Sequence, residues 1–173
     1  RGRQTDALVR RLMDLPQPLV LDADGINALA GHMDEWERRR GRVTVLTPHE
    51  GEFLRVGGNL SQGRTAAAED FARRSEAVVV LKGPGTVVAG PDGRCRVNTT
   101  GNCGMAKGGS GDVLSGVVLA LLGLGMDAFD ACCCAVWLHG RAGDLAAQEK
   151  GQWGMTPTDL LERLPQALRE VTE

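Results

Sequence analysis

The chain changes its hydrophobic period repeatedly. Leu8, Val9, Leu12 and Leu15 recur at helical spacing, and Pro16 and Pro18 end that segment. Strand-length apolar runs follow at LVLDAD (19–24), VTVLTP (43–48) and AVVVLKG (77–83). The third is continuously apolar, as expected of a strand buried on both faces. Helical patterns separate them: a short helix around Ile26 to Ala30, a helix over 50–56, and SQGRTAAAEDFARRSE (61–76) with Ser61 as its expected cap. TVVAGPDGRCRVN (86–98) predicts a hairpin turning at Gly90-Pro91-Asp92-Gly93. Helical spacing then returns over 112–123 and about 128–148. A last helix is expected from Thr156, where Thr156-Pro157-Thr158-Asp159 combines an N-cap, a proline at the first helical position and a capping box.

Strands alternating with helices imply a mainly parallel sheet covered on both faces, hence a three-layer α/β/α domain over 1–173. Ligands bind such sheets at the carboxyl ends of the strands. Polar residues punctuate the chain there: Asp22 and Asp24 after the first strand, Thr47-Pro48-His49 after the second, Lys82-Gly83 after the third. Asp22 and Asp24, spaced i, i+2, are expected on one strand face with Asn27 a turn further on. They would line the cleft, or Asp24 would cap the following helix.

Charge narrows the partners. Lys and Arg total 20 against 22 Asp and Glu, a net −2. The nearest basic block, ERRR at 37–40, reads as a solvated helix end, so nucleic acid is not an expected partner. No run approaches the roughly 18 apolar residues of a membrane span. The opening RGRQTDALVRR carries no signal-like apolar region and no initiator Met, so the chain is expected to begin partway through a larger protein. Five cysteines without a CxxC pair point to a reducing, cytoplasmic setting. Cys132, Cys133 and Cys134 point about 100° apart on a helix and read as small buried hydrophobes. His139, between Trp137 and Arg141, reads as packing.

The chemistry concentrates in GMAKGGSGDVLSGVV (104–118), a glycine loop opening a helix. Backbone N–H groups at such a point favour anions. Asp112 therefore reads either as a helix cap or as a base that must sit beside a phosphate. Neither a Walker A loop nor a GxGxxG fingerprint occurs, which removes the commonest nucleotide folds.

GGSGD at a helix start, after a hairpin, resembles the ribokinase-like superfamily. VLDADGINALA (20–30), LTPHEGEF (46–53), LKGPGT (81–86), NTTGNCGMAKGGSGDVLSG (98–116) and HGRAGDLAA (139–147) occur in that order. As a set they resemble the ADP-dependent NAD(P)H-hydrate dehydratase family. The resemblance implies a ribokinase-like fold. It implies dehydration of hydrated NAD(P)H with ADP (or ATP) and Mg²⁺, yielding NAD(P)H, phosphate and, from ADP, AMP. It assigns Asp112 as the base, Gly109, Ser110 and Gly111 as an anion hole, and His49 with Asp112 as contacts to the hydrated dinucleotide. Lys82, Gly83, Pro84, Gly85, Thr86 and Gly111 would bind the adenine nucleotide, and Glu52 would order Mg²⁺ through water. It also implies a homotetramer and, in many members, a fused epimerase domain. The family's early strands and GPGLG-type loop have no counterpart here. Cys103 stands where the family usually has Pro, and Lys107 where a smaller residue is frequent; Lys107 is expected in solvent. A small-molecule kinase of the same fold, for a thiazole alcohol or a vitamin, would carry Asn in place of His49. A nucleotide sensor without turnover would have no need of Asp112.

Overall fold

The structure is a computed structural model describing residues 2–32 and 34–172. Its first part runs α1 (Arg3–Leu12), β1 (Leu19–Leu21), α2 (Asp24–Asn27), α3 (Asp34–Glu37), β2 (Thr44–Leu46), α4 (Glu50–Arg55), α5 (Arg64–Ser75) and β3 (Val78–Leu81). The hairpin β4 (Val87–Ala89) and β5 (Cys95–Val97) follows, then a 3-10 turn over Cys103–Met105. The chain ends on α6 (Ser110–Gly123), α7 (Ala128–Gly154) and α8 (Pro157–Thr172).

The five strands pair in sequence order, with β1, β2 and β3 parallel and the β3–β4 and β4–β5 pairs antiparallel. Only β4 therefore runs against the others. Strand alternation divides the core in two. Leu46, Val79 and Leu81 face a layer containing Val9, Ile26, Trp36, Phe53 and Phe71. Val45, Val78, Val80 and Val88 face α6 and α7 through Leu114, Val118, Cys132 and Val136. Helix α8 closes on α7 through Leu138, Ala142 and Leu160. The result is the expected α/β/α layering, and the β3 run is buried throughout. No helix among the described residues is long and apolar enough to cross a membrane.

Several local expectations need correction. Helix α5 starts at Arg64 behind Gly63, not at a Ser61 cap. The Ser61 amide is taken by the Asn59 side chain at 2.9 Å, which makes a turn of 59–63. Asp22 and Asp24 do not share a strand face, because β1 ends at Leu21 and Ala23 turns the chain at φ 47°. Asp24 begins α2 without a side-chain cap bond and is exposed. ERRR is not wholly a solvated end: Arg39 is 1% exposed. Its guanidinium donates to the carbonyls of Gln17 (2.9 Å), Val43 (2.8 Å) and Leu15 and to Thr44 Oγ1 (2.9 Å). Those acceptors satisfy a buried cation that would otherwise be very costly. The long helix continues past 148 to Gly154, with a non-helical Gly151 inside it.

Helix α8 starts as its sequence predicts. Asp159 accepts from the Thr156 amide and hydroxyl, each at 2.7 Å, and pairs with Lys150. Cys132 is buried and its thiol pKa is pushed up, while burial raises Cys133 to about 11. No cluster of three or more His, Cys, Asp or Glu suited to a metal occurs among the described residues.

Candidate active site

Three parallel strands end side by side, so their following residues meet. The Lys82 amide donates to the Pro48 carbonyl at 2.8 Å, which continues the β2–β3 pairing to His49 and Lys82. The ammonium of Lys82 reaches across to Asp22 Oδ1 at 2.7 Å and stands 4.0 Å from Glu52 Oε2. Asp22 also accepts from Ser115 on α6 at 3.1 Å. Lys82 is thus not a free phosphate ligand. It joins the β1 and β3 ends, while Ser115 ties α6 to the same carboxylate.

His49 is the N-cap of α4. Its Nδ1 accepts from the Gly51 and Glu52 amides at 2.9 and 3.2 Å, and Glu52 Oε2 accepts from the His49 amide at 2.8 Å. This is a reciprocal capping box with histidine in the serine position. An accepting Nδ1 leaves the proton on Nε2, which lies 3.4 Å from Glu52 Oε1. Glu52 is therefore buried and engaged through both oxygens. This donor set does not fit direct ligation of a metal by Glu52. Contact through water is the route left to it, and Asp22 is committed to Lys82.

A cleft of about 750 Å³ opens beside these strand ends. One wall is Gly83 to Thr86, after β3. Arg64 on α5 braces this turn by donating to the carbonyls of Leu81 (2.9 Å), Gly85 (3.2 Å) and Pro84. The segment 98–107 also lines the cleft, starting where the Asn98 amide donates to the Thr86 carbonyl at 2.8 Å and then lying against α7, and Leu114, Val136 and His139 complete the lining. Gly140 and Gly143 let that segment lie so close. A Cβ on Gly140 would stand 2.7 Å from the Thr100 carbonyl carbon, and one on Gly143 would stand 2.8 Å from Met105 Cγ. Asp144 then accepts from the Gly101 amide and from Asn102 Nδ2, each at 2.9 Å, and Thr100 Oγ1 donates to the Trp137 carbonyl at 3.0 Å. Lys107 is not free in solvent: it is half-buried and lines the cleft. It caps the end of α7, donating to the carbonyls of Gln152 (3.4 Å), Trp153 (3.0 Å) and Met155.

The glycine loop borders the cleft, which Ser110 and Gly111 line. Gly109, at φ 98°, precedes α6 and packs against Pro157: a Cβ on it would lie 3.1 Å from Pro157 Cγ. The first amides of α6 have no acceptor within the helix. Of the predicted residues, His49, Lys82 to Thr86, Ser110 and Gly111 line the cleft. Gly109, Asp112 and Glu52 adjoin it without lining it. Asp112 is exposed on the first turn of α6 and makes no hydrogen bond or ion pair among the described residues. Asn27 is buried and accepts from Arg55, which commits it to packing.

The sequence marked 98–107 as part of a motif without giving it a place in the cleft, and His139, expected as packing, is not mere packing. It lines the cleft, and its Nε2 lies 2.9 Å from the Ser110 carbonyl oxygen. Burial holds its pKa below the ordinary imidazole value; the Ser110 bond opposes this and the Lys82 charge adds to it. The available signal was Gly140 and Gly143 three apart inside a long helix, where glycine marks close backbone approach. A second cavity of about 390 Å³ lies among Asn102, Arg141, Asp144 and Gln148. Its arginine is already held by Glu170 through two bonds of 2.6 and 2.9 Å.

Three α/β/α layers with a cleft at the strand ends and a glycine loop opening a helix are the ribokinase-like fold, shared at a TM-score of 0.83 and 24% identity with a ribokinase-like superfamily protein of Enterococcus faecalis. Within that class the chain belongs to the NAD(P)H-hydrate dehydratase family, whose sequence profile matches residues 1–166. A bifunctional NAD(P)H-hydrate repair enzyme of Thermofilum pendens is 47% identical over 161 residues, covering 91% of this chain and 30% of that protein. An ADP-dependent (S)-NAD(P)H-hydrate dehydratase of Neisseria meningitidis is 41% identical over 140 residues, covering 78% of this chain and 47% of its own. The crystal structure of the Bacillus subtilis ADP/ATP-dependent NAD(P)H-hydrate dehydratase, co-crystallised with ATP and Mg²⁺, matches with a TM-score of 0.80 at 36% identity. It covers 94% of this chain and 58% of that one. The chain thus spans less than half the length of either curated relative.

Proposed function

We propose that residues 1–173 form one ribokinase-like unit of an ADP-dependent NAD(P)H-hydrate dehydratase, which uses Asp112 as its base. The observation that carries this is the junction at Gly111. Gly111 lines the nucleotide-sized cleft, and the next residue, Asp112, is a carboxylate outside that lining with no partner among the described residues. A phosphoryl group at the first amides of α6 would therefore have a free base one residue away.

ADP would occupy the cleft lined by Gly83 to Thr86 and by 98–107, with its second phosphate at the start of α6. The amides of Gly109 to Gly111 steady the charge that builds on the transferred group. Asp112 takes the proton from the ring hydroxyl of the hydrated nicotinamide as its oxygen attacks phosphorus. AMP leaves. The ring nitrogen's lone pair then expels phosphate, and loss of a proton from the adjacent ring carbon restores the dihydropyridine. Phosphorylation replaces hydroxide, a poor leaving group, with phosphate. Mg²⁺, when bound with the nucleotide, neutralises phosphate charge; Glu52 would meet it through water. His49 Nε2–H is a donor for the hydrated dinucleotide. The reading extends to ATP as an alternative donor, to a cytoplasmic homotetramer and to an epimerase domain joined to this unit.

The test is incubation with ADP, Mg²⁺ and hydrated NADH, following the return of reduced-nicotinamide absorbance. Wild type is expected to restore it. Asp112→Asn is expected to lose about 10²- to 10⁴-fold in turnover while binding ADP as before. A protein that binds ADP but never restores the absorbance contradicts the dehydratase reading and favours a small-molecule kinase.

A further inference from the structure

We infer that His139 is a positioning residue for the anion-binding end of α6: its Nε2–H holds the Ser110 carbonyl and so aims the Gly111 N–H at the phosphate to be transferred. This rests on the proposed function and extends it. A carbonyl only accepts, so at 2.9 Å from Ser110 O the ring nitrogen must carry the proton. Ser110 is the first residue of α6. Its carbonyl belongs to the peptide that joins it to Gly111, and peptide planarity sets the Gly111 N–H antiparallel to that carbonyl. The Gly111 amide is one of those without an acceptor inside the helix, and Gly111 lines the cleft. Fixing the carbonyl therefore fixes the direction of the free donor.

The far side of the same peptide is equally confined. A Cβ on Gly111 would lie 3.3 Å from Asp22 Oδ2 and 3.4 Å from Lys82 Nζ. The peptide is thus held between an imidazole on α7 and the ion pair that joins β1 to β3. The histidine is not needed to rescue an orphan acceptor, because the helix supplies the Ser110 carbonyl with the amide four residues on. Burial keeps the ring neutral beside Lys82, so the bond adds direction without charge. A hydrophobe of the same size would pack as well without desolvating a polar ring. What such a residue would lack is the second bond to Ser110.

Calorimetric titration of AMP and ADP into wild type, His139→Gln and His139→Leu tests this. Only ADP places a phosphate at α6. Wild type is expected to prefer ADP. In His139→Leu, AMP affinity stays within about twofold, while the ADP-over-AMP preference falls roughly five- to tenfold, the worth of one hydrogen bond made well or poorly. His139→Gln carries an amide N–H near the same place and is expected to recover most of the preference. In turnover, the Leu variant is expected to lose kcat, by up to about the hundredfold that one anion-hole donor supplies, with a smaller change in KM for ADP. Equal loss of AMP and ADP affinity in a folded Leu variant, or Gln behaving like Leu, overturns the inference and leaves His139 as wall. Should the Leu variant not fold, His139→Asn, whose shorter amide stops short of the carbonyl, takes its place under the same criteria. A wild type that binds neither nucleotide sinks the nucleotide reading itself, and this inference with it.

Discussion

The two sides of the glycine loop are built differently. On the cleft side nearly every backbone segment is held: Arg64 braces 83–86, Asp144 and Thr100 fasten 98–102 to α7, and Lys107 caps α7. On the other side stands Asp112, exposed and without a partner among the described residues. A base must be free to take a proton, and a partner would compete for its lone pairs. A donor array must hold its direction before charge develops. The difference teaches that stiffness here is placed one residue away from the reacting group rather than on it.

Gly140→Ala should damage the held side most. In a free helix, alanine would gain about 1 kcal/mol over glycine. Here the new Cβ would meet the Thr100 backbone at 2.7 Å, and α7 and the loop cannot both stay in place. Overpacking of this kind costs about 1 to 3 kcal/mol, so the clash outweighs the propensity. Chemical denaturation should show net destabilisation, and ADP affinity should fall with it. A stabilised variant with unchanged ADP affinity would mean that the wall is not held by this contact.

Asp159→Asn should have a smaller effect, one that depends on pH. The Lys150 bond, then the Thr156 hydroxyl and amide, hold Asp159 at a pKa of about 2. A depressed carboxylate contributes stability that is full above its unfolded pKa near 3.9 and is lost as pH falls through the folded value. Wild type should therefore melt above the variant at pH 7. The gap should close between about pH 4 and pH 2. Because Pro157, inside the same capping turn, backs Gly109, the variant should also loosen ADP binding slightly at neutral pH. A melting gap that persists below pH 2 would show that the side chain's shape, not its charge, holds the turn.

Much of this was legible in the sequence, for local reasons. VVVL is apolar on both faces and could only be an interior strand; the Gly90–Gly93 turn and the Thr156 cap carry their own turn chemistry. The contrary cases turn on what a distant segment presents. Arg39 looks like its neighbours Arg38 and Arg40, yet it alone is buried, because the carbonyls of Leu15, Gln17 and Val43 converge on it. Lys107 finds the carbonyls at the end of α7, more than forty residues away in the chain. Helical spacing marks His139 as inward-facing but cannot say that the Ser110 carbonyl lies opposite. Lys82 shows the same limit. Its position at a strand end was readable, while its pairing with Asp22 depends on the order of strands in the sheet.

The most direct test of the contrast between a held cleft and a free base is an amide chemical-shift titration with ADP and Mg²⁺. The account predicts perturbations concentrated at Gly83, Gly85 and Thr86, across 98–107 and at Ser110 and Gly111, with Gly111 among the largest. Shifts gathered instead around Arg141 and Gln148, or no shifts at millimolar ADP, would contradict it.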